Sequence, residues 1–504
     1  MSRVGSEGRW HDGAVRFFAG RDEVLRAREA FDNAGYTLAA VTQRVGANVF
    51  AHLSAGEIEP LLHATREGDR LDVLARLFLI GEPVSVDAAG AALAPLSPNE
   101  WAAGGLVAID GDRMRGQIVI RPLGDPQDRL VAHDRPGRWG AVATDHVLGV
   151  SASTAALAGV TIRRPIDAAF DLGTGCGVQA VHAAVHSSRV VGSDVNRRAV
   201  ALATLTVELN ELDHVSVRLG DRFEPVPGER FDLIVSNPPY VISPLRRYLF
   251  RDSGLPIDEL CRSIVQAAPD HLNIGGHCQL LASWAHVDGE DWRRRLESWF
   301  VDTGCDAYVL EREALDPAAH AASWLRQTEQ AGTWHDFDAW MTYTEANRIE
   351  AIGFGVITMR KRDAGTPWFR AEEASQDFVM PCGDHLGAVF ELADFLADAD
   401  DEQLLASVLA VAPDVVLDER TGHRADGWIV IGRQLRQTAG LCHTGDVDPG
   451  VVAIVTGCDG RRTLENVLTE VAEKAELEFA EVRAAAVPIV RRLIEQAFLL
   501  PALA

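Results

Sequence analysis

Seven short runs rich in β-branched residues alternate with helical stretches between about residues 140 and 362, and this alternation constrains the fold most. The runs are AAFDLG, RVVGSDV, VSVRLGD, FDLIVSN, GHCQLLASW, DAYVLERE and FGVITMRKR. Strands that alternate with helices imply a parallel sheet whose two faces are covered by helices. The sequence therefore predicts an α/β fold, with a long helical insertion between the last two strands.

The regions on either side of this core have different patterns. Before it, helical periodicity precedes GGLVAIDGDRMRGQIVIRPL, which predicts two strands around an Asp110-Gly111-Asp112 turn. Helices followed by a two-stranded wing predict a winged-helix module, and a helical cap with a hairpin is the alternative. After the core, helical spacing predominates. We therefore predict an N-terminal helical or winged-helix domain over 1–139, the α/β domain over 140–362, and a mainly helical or winged-helix-like module over 363–504.

Charge and composition exclude several classes of protein. The formal net charge of −25 opposes a protein that coats nucleic acid, because neutralising phosphates needs a basic surface. The seven cysteines include no C-x-x-C pair, which favours a reduced compartment over a disulfide framework or a zinc site. No run approaches the roughly 20 apolar residues that cross a bilayer. The sequence predicts a cytoplasmic protein with no metal and no membrane partner, and it leaves the oligomeric state open.

The stretch FDLIVSNPPYVIS changes from a strand to a stiff turn within a few residues. Pro238 and Pro239 cannot donate to a sheet ladder, so the strand must end there. Asn237 and Tyr240 flank the prolines at the carboxyl end of the strand, which is where ligands bind in open α/β sheets. The stretch predicts a binding site for a planar amide or amine.

Three further strand ends carry glycines or carboxylates. The first is followed by the glycine-rich turn 171–177, DLGTGCG, where the backbone can approach a ligand closely. The second ends at Asp194, whose carboxylate can accept both hydroxyls of a ribose. The third ends at Asp221, which can receive an adenine amino group beside Arg222. The glycine spacing is not G-x-G-x-x-G, which disfavours a nicotinamide-dependent oxidoreductase.

Together these four strand ends resemble class I S-adenosylmethionine (SAM)-dependent methyltransferases with an N-P-P-Y signature. That group includes N6-adenine methyltransferases, small-domain ribosomal RNA methyltransferases and glutamine-N5 protein methyltransferases. The resemblance covers residues 140–290, extends with the strand pattern to about 362, and implies a Rossmann-like, seven-stranded methyltransferase core. It implies that SAM is held by Asp171, Gly173, Thr174, Gly175, Gly177, Asp194, Asp221 and Arg222. It implies that the acceptor nitrogen is held by Asn237, Pro238, Pro239 and Tyr240.

The electronic structure of the acceptor explains why such a motif is useful. An amide or aromatic amine nitrogen is a poor nucleophile because its lone pair is delocalised. The Asn237 side-chain oxygen and the Pro238 carbonyl, which the prolines are predicted to keep unpaired, can each accept one N–H group. Tyr240 can stack on the planar group. Catalysis then consists mainly of positioning and desolvation, with no strong general base.

The segment before the glycine-rich turn carries three hydroxyl side chains. Ser151, Ser153 and Thr154 lie where, in the resembled family, the chain often covers the cofactor. Contact with SAM and capping of a helix explain these residues equally well.

The acceptor is less narrowly specified. The segment 251–255, RDSGL, is an imperfect counterpart of the acidic residue, glycine and leucine that follow the signature in glutamine-N5 enzymes. Arg246, Arg247 and Arg251 make this segment basic, which keeps an RNA or DNA acceptor open, and an exposed helix face explains them as well. The tail sequence TGCDGRRTLENVL resembles small winged-helix modules of enzymes that recognise peptides or proteins.

These features favour N-methylation of a glutamine side chain in a protein or peptide, with a base in ribosomal RNA or DNA as the alternative. An alternative of a different class is a regulator that binds SAM without turnover. The intact Asn237 and Tyr240 disfavour that alternative.

Overall fold

The computed structural model describes residues 10–11, 14–15, 17–49, 52–53, 57–124, 127–135, 143–328, 334–374, 378–425 and 427–502. The chain forms two compact units, one of residues 1–157 with 164–372 and one of residues 158–163 with 373–504. The N-terminal helices and the α/β sheet belong to the same unit, and their division into two domains stays a prediction. No helix in the described residues is long and apolar enough to cross a membrane.

The first unit begins with a pair of short strands and a group of helices. In chain order these are β1 (Trp10–His11), β2 (Ala14–Val15), α1 (Arg21–Asn33), α2 (Leu38–Val45), α3 (Glu59–Ala64), α4 (Arg70–Ala75), β3 (Val84–Ser85), α5 (Val86–Leu93) and α6 (Pro98–Ala103). A π-helical turn, Arg76–Ile80, follows α4 and ends at Gly81, where φ is +86°. Their apolar side chains share one core, in which the rings of Phe31, Phe78 and Trp101 lie 5.4 to 5.9 Å apart.

The predicted N-terminal hairpin forms, but its second strand is interrupted. β4 (Val107–Asp110) pairs with β5 (Arg113–Gly116), as predicted. The next strand, β6 (Ile118–Leu123), pairs instead with β7 (Arg129–Asp134) in a separate sheet. Gly116 marks the break because it lies against the π-helical turn, where a Cβ would come within 2.0 Å of the Leu77 carbonyl oxygen. Whether this arrangement is a winged helix stays a prediction.

An eight-stranded mixed sheet is the centre of the first unit. Its strands are β8 (Ile166–Leu172), β9 (Ser187–Asp194), β10 (Val215–Leu219), β11 (Phe231–Ser236), β12 (Leu272–Val287), β13 (Cys305–Leu315), β14 (Ile349–Lys361) and β15 (Phe369–Glu373). Their order is β10-β9-β8-β11-β12-β14-β13-β15. All seven predicted strands are present, which confirms the α/β fold. The predicted number of seven is one too low, because β15 adds an edge strand beside β13.

Strand β14 makes the sheet mixed rather than parallel. β14 runs antiparallel to both of its neighbours, and its residue Ile352 pairs with Leu315 at the end of β13. The insertion between these two strands therefore leaves and rejoins the sheet at the same edge, so the returning strand must run backwards. The parallel strands β8 to β11 also end at this edge, which places the insertion beside the predicted site.

The helices of the α/β region contribute to more than one hydrophobic core. They are α7 (Ala152–Val160), α8 (Val178–Ala183), α9 (Arg197–Leu209), α10 (Glu259–Ala267), α11 (Trp292–Glu297) and, in the insertion, α12 (Pro317–Thr328) and α13 (Trp334–Ala346). Leu202 and Leu205 of α9 are buried in the core that contains the N-terminal helices. Ile264 of α10 and Leu296 of α11 are buried in a core with the strands of the sheet. The N-terminal region is thus packed on the helix that follows β9.

The second unit combines helices with two three-stranded sheets, which corrects the prediction of a mainly helical module. Its elements are α14 (Gly383–Asp398), α15 (Asp401–Ala406), β16 (Val408–Val411), β17 (Val415–Arg424), β18 (Gly427–Gln437), β19 (Thr444–Asp446), α16 (Pro449–Gly457), β20 (Asp459–Thr463), α17 (Leu464–Ala475), α18 (Phe479–Glu495) and β21 (Leu499–Pro501). The sheets have the orders β20-β16-β21 and β17-β18-β19. Its core is separate from those of the first unit and includes the fully buried Leu404, Leu464 and Ile494.

Candidate functional site

A pocket lies at the carboxyl edge of the sheet, where the four predicted strand ends meet. The cavity has a volume of about 280 Å³. It is lined by Asp171, Gly173, Thr174, Gly175, Asp194, Asp221, Arg222, Asn237, Pro238, Pro239 and Tyr240. Gly177 was predicted with this group but does not line the cavity. Its φ is +83°, and a Cβ there would come within 3.3 Å of the Ala203 Cβ, so Gly177 lets the turn pack against α9.

Backbone hydrogen bonds fasten the glycine-rich turn to the neighbouring strand. The N–H groups of Gly173 and Thr174 both donate to the Ser193 carbonyl, at 2.9 and 2.8 Å. Gly173 and Gly175 have φ values of +74° and +55°, a region that disfavours residues with a Cβ. The Gly175 N–H donates to Asp194 Oδ2 at 2.9 Å. These hydrogen bonds therefore hold the glycine-rich turn in a fixed position relative to Asp194.

Two carboxylates give the pocket a negative character. Asp171 is buried and accepts hydrogen bonds from Thr174 Oγ1 at 2.6 Å and from the Ala180 N–H at 3.0 Å. Burial, together with the charge of Asp194, raises the pKa of the Asp171 carboxyl to about 7. Burial also raises the pKa of Asp194, which accepts from the N–H groups of Gly175 and Asn196. Within the described ranges, neither carboxylate forms an ion pair, so a cationic ligand would be favoured here.

The buried surface of the pocket also holds an unsatisfied polar atom. Ser193 Oγ is buried at the end of β9 and has no hydrogen-bond partner among the residues that the structure describes. A buried hydroxyl without a partner costs free energy, which a ligand with a polar group can recover. Together with the carboxylates, this atom fits a polar, positively charged cofactor.

Asp221 and Arg222 form the outer rim of the pocket. Both side chains are exposed, and Arg222 Nη2 lies 3.2 Å from Asp221 Oδ2. Arg222 Nη1 also donates to Ser263 Oγ of α10 at 3.4 Å. Leu260 and Ile264 of the same helix line the cavity beside this pair. The rim therefore combines a polar pair with an apolar helix face.

The N-P-P-Y turn is tied to the adjacent strand, and one prediction about it was wrong. Ser236 Oγ donates to the Leu172 carbonyl at 2.8 Å, which joins the ends of β11 and β8. The Tyr240 N–H donates to the Pro238 carbonyl at 2.8 Å, so that carbonyl is not kept unpaired. The bond arises because Pro239 has no N–H, and the chain closes a tight turn around it. A carbonyl oxygen has two lone pairs, so one acceptor position remains on Pro238.

The segment after Tyr240 is not the basic surface that its arginines suggested. Arg251 is fully buried and its Nε donates to Asp252 Oδ1 at 2.8 Å. Arg247 donates to both oxygens of Asp336 on α13, at 2.8 and 2.7 Å. Of the three arginines, only Arg246 has an exposed guanidinium without a carboxylate partner within the described ranges. Arg247 and Arg251 are therefore already engaged by carboxylates of this chain.

The inserted helices hold this segment in place, a role that the sequence did not indicate. His320 Nε2 lies 3.2 Å from the Ile242 carbonyl oxygen. Val241 is buried in a small core with Leu325 and Trp340 of the insertion, and Tyr240 and Trp324 pack against that core. Trp324 also lines the pocket. The insertion therefore forms one wall of the site.

Replacing Asp252 by asparagine is expected to destabilise the first unit by about 3–5 kcal/mol, because the buried Arg251 guanidinium would lose the charge of the carboxylate that it contacts. The Asp252 carboxylate also accepts from the N–H groups of Arg247 and Tyr248, at 2.8 and 3.2 Å. The measurement is the shift of the urea unfolding midpoint, followed by tryptophan fluorescence. Asp288→Asn is the control, since Asp288 pairs with Arg348 on the surface, where solvent screens the pair, and its loss should shift the midpoint much less. Equal shifts in the two variants would contradict the prediction.

Family models match three parts of the sequence. The methyltransferase small domain matches residues 150–300. Two domains of unknown function, DUF7059 and DUF7782, match residues 33–117 and 387–501.

Several curated proteins are similar to the α/β region. The release factor glutamine methyltransferase of Geobacter sulfurreducens is 32% identical over 234 residues, which are 43% of this chain and 76% of that protein. The release factor glutamine methyltransferase of Xylella fastidiosa is 33% identical over 23% of this chain, which spans 46% of that protein. The ribosomal RNA small subunit methyltransferase C of Alcanivorax borkumensis is 33% identical over 23% of this chain, which spans 31% of that protein.

Among solved structures, the T. thermophilus 16S rRNA N2 methyltransferase in complex with AdoMet and guanosine is 16% identical. The match covers 52% of this chain and 60% of that chain, with a TM-score of 0.29.

Proposed function

Because the chain belongs to the family of SAM-dependent methyltransferases that includes the release factor glutamine methyltransferases, we propose that it methylates the nitrogen of a planar amide. We propose further that this amide is a glutamine side chain of a protein or peptide. The observation that carries the proposal is the position of the Asn237 and Tyr240 side chains in the same pocket as the two carboxylates. This arrangement places an amide-binding turn beside a site for a cationic cofactor.

The residues of the pocket fit SAM, which when bound supplies an electrophilic methyl group on a positively charged sulfur. Asp194 would accept the ribose hydroxyls beside the backbone N–H groups of Gly175, Val195 and Asn196, which its carboxylate also accepts. Gly173 and Gly175 would let the backbone approach the cofactor. Asp221 and Arg222 would border its base, and Asp171 and Thr174 would support the turn.

The N-P-P-Y turn would hold the acceptor. Asn237 Oδ1 and the remaining lone pair of the Pro238 carbonyl would each accept one N–H of the amide. Tyr240 would stack on the amide plane, and its ring is itself held by Phe354, with centroids 5.1 Å apart. Positioning of this kind brings the nitrogen into line with the methyl group and accounts for most of the rate enhancement that we propose.

A protein acceptor is favoured over a nucleic acid by the charges of the site. Arg247 and Arg251 are engaged by Asp336 and Asp252, and the rim includes the apolar side chains of Leu148, Leu249 and Trp324. Such a rim suits an amide carried on a polypeptide. The similarity to ribosomal RNA methyltransferases is the observation that supports a base in RNA as the second candidate.

Tritium transfer from labelled SAM into an extract of cells that lack this protein tests the proposal. We expect the full chain to label a fraction that protease releases and nuclease does not, and hydrolysis of that fraction to yield N5-methylglutamine. Label released by nuclease would support the RNA alternative instead. A methylated residue other than glutamine would contradict the proposed acceptor.

The affinity for SAM is expected to rise about tenfold between pH 5.5 and 7.5, because one pKa unit corresponds to a tenfold change in equilibrium. The pKa of Asp171 is about 7 without ligand, so the carboxyl is protonated at the lower pH. A cationic ligand favours the ionised form, and binding at low pH must release that proton. Calorimetry across this range measures the effect. Asp171→Asn should remove the part of the pH dependence that is due to this carboxyl, whereas Asp167→Asn, at the exposed opposite end of β8, should leave the profile unchanged.

A further inference from the structure

Ser153 lies between the two polar side chains of the N-P-P-Y turn. Asn237 Nδ2 donates to Ser153 Oγ at 3.4 Å, and Ser153 also hydrogen-bonds the Tyr240 hydroxyl. Ser153 belongs to the first turn of α7 and lines the pocket. A single hydroxyl therefore contacts both of the side chains that the proposed function assigns to the acceptor.

Neighbouring hydroxyls fix the position of Ser153. Ser151 Oγ lies 2.9 Å from Ser153 Oγ and 3.0 Å from Thr154 Oγ1. The Thr154 N–H donates to Ser151 Oγ at 3.2 Å, and the Thr154 carbonyl accepts from Gln179 Nε2 at 2.8 Å. The hydroxyl cluster is thus anchored to the backbone of α7 and to the helix after the glycine-rich turn.

The orientation of the Asn237 amide decides what the turn can bind. An asparagine amide can occupy its site in two orientations that exchange the oxygen and the NH2 group. When Oδ1 faces the pocket, the amide can accept a hydrogen bond from an N–H group of the acceptor. When Nδ2 faces the pocket, two hydrogen-bond donors lie against each other and no bond forms. A hydroxyl has one proton and two lone pairs. Because Ser151 and Tyr240 also contact Ser153, its single proton can be used by them while its lone pair receives Asn237 Nδ2.

We propose that Ser153 is a positioning residue that holds the Asn237 amide with Oδ1 toward the acceptor, and so selects acceptors that present N–H donors. The selection of acceptors rests on the proposed function. The effect of Ser153 on the orientation of the Asn237 amide does not. The inference extends the site from the N-P-P-Y turn to α7, which reaches the pocket from the segment before β8.

The hold on Asn237 can be measured without any acceptor. In the full chain labelled with ¹⁵N-asparagine, the side-chain signal of Asn237 is identified by its absence in Asn237→Ala. We expect Ser153→Ala to raise the hydrogen-exchange rate of the Asn237 Nδ2 protons about tenfold, the effect of losing one hydrogen bond. Ser153→Thr keeps the hydroxyl and should keep the protection. Ser216→Ala, which removes an exposed hydroxyl on β10, is the matched control.

Methyl transfer supplies the second readout. With the fraction that the wild-type protein labels, Ser153→Ala should lower kcat about tenfold while the Kd for SAM stays within twofold, and Ser153→Thr should restore kcat. Unchanged exchange in Ser153→Ala would overturn the inference even if methyl transfer falls. If the wild-type protein labels nothing, the proposed function fails, and the exchange rates still decide the role of Ser153. Thermal melting of each variant shows whether it folds. If Ser153→Ala does not fold, the exchange rates of Ser153→Thr and the wild type are compared to decide the role of the hydroxyl.

Discussion

Replacing Asn237 by alanine is expected to lower the rate of methyl transfer by about a hundred- to a thousandfold, the usual cost of removing one preorganised hydrogen-bonding group from a reacting centre. The acceptor nitrogen would keep its bond to the Pro238 carbonyl but lose the one to Asn237 Oδ1. It would then rotate away from the methyl group, and its lone pair would stay delocalised. Single-turnover transfer from labelled SAM measures the effect directly.

The binding of SAM should change little in the same variant. Asn237 follows β11, whereas Asp171 and Asp194, the carboxylates proposed to hold SAM, lie at the ends of β8 and β9. We expect the Kd from calorimetry to stay within twofold. Asn99→Ala, an exposed asparagine in the first turn of α6, is the control for the substitution itself. A variant that retains more than a tenth of the wild-type rate would remove Asn237 from the proposed mechanism.

The pocket could be predicted from the sequence because its residues come from consecutive strand ends. Each of β8, β9, β10 and β11 is an apolar run followed at once by glycine, carboxylate or asparagine, and parallel neighbours bring their carboxyl ends to one edge. Both the residue types of the pocket and its position at the carboxyl edge therefore follow from short segments of the sequence. The same reasoning placed Gly177 in the pocket, although its positive φ serves packing against α9.

The walls of the pocket could not be predicted, because they depend on contacts between distant parts of the chain. Arg247 finds its partner Asp336 across 89 residues, and nothing near either residue indicates the pair. Trp324 enters the pocket because β14 is antiparallel and returns the insertion to the carboxyl edge. An arginine-rich segment thus suggested a basic surface, whereas the structure buries or pairs two of its three guanidinium groups.

The strands of the second unit were missed for a different reason. β17 and β18 form a ribbon whose sequence does not alternate cleanly between apolar and polar residues. In β18, four consecutive apolar residues, Trp428 to Ile431, are all exposed. A periodicity of two can be recognised only when one face of a strand is buried, and over Trp428 to Ile431 neither face of this ribbon is.

Replacing Asp194 by asparagine is expected to weaken the binding of SAM about a hundredfold or more, since two hydrogen bonds to a charged group would be weakened together. The asparagine keeps the shape of the side chain but removes the charge, and one of its two polar atoms becomes a donor. That atom would face either a ribose hydroxyl or one of the N–H groups of Gly175 and Asn196, which now donate to Asp194. Equilibrium dialysis with labelled SAM measures the change.

Asp221→Asn is the matched comparison, because Asp221 is also a carboxylate at a strand end of the same pocket. Its side chain is exposed at the rim and already paired with Arg222, so water can replace what the substitution removes. We expect a loss of affinity of less than about tenfold, as for a single solvent-exposed hydrogen bond. A larger loss for Asp221→Asn than for Asp194→Asn would reverse the proposed placement of the cofactor. Because Asn237→Ala should leave SAM binding intact, the three variants separate a donor half of the pocket at β8 and β9 from an acceptor half at β11.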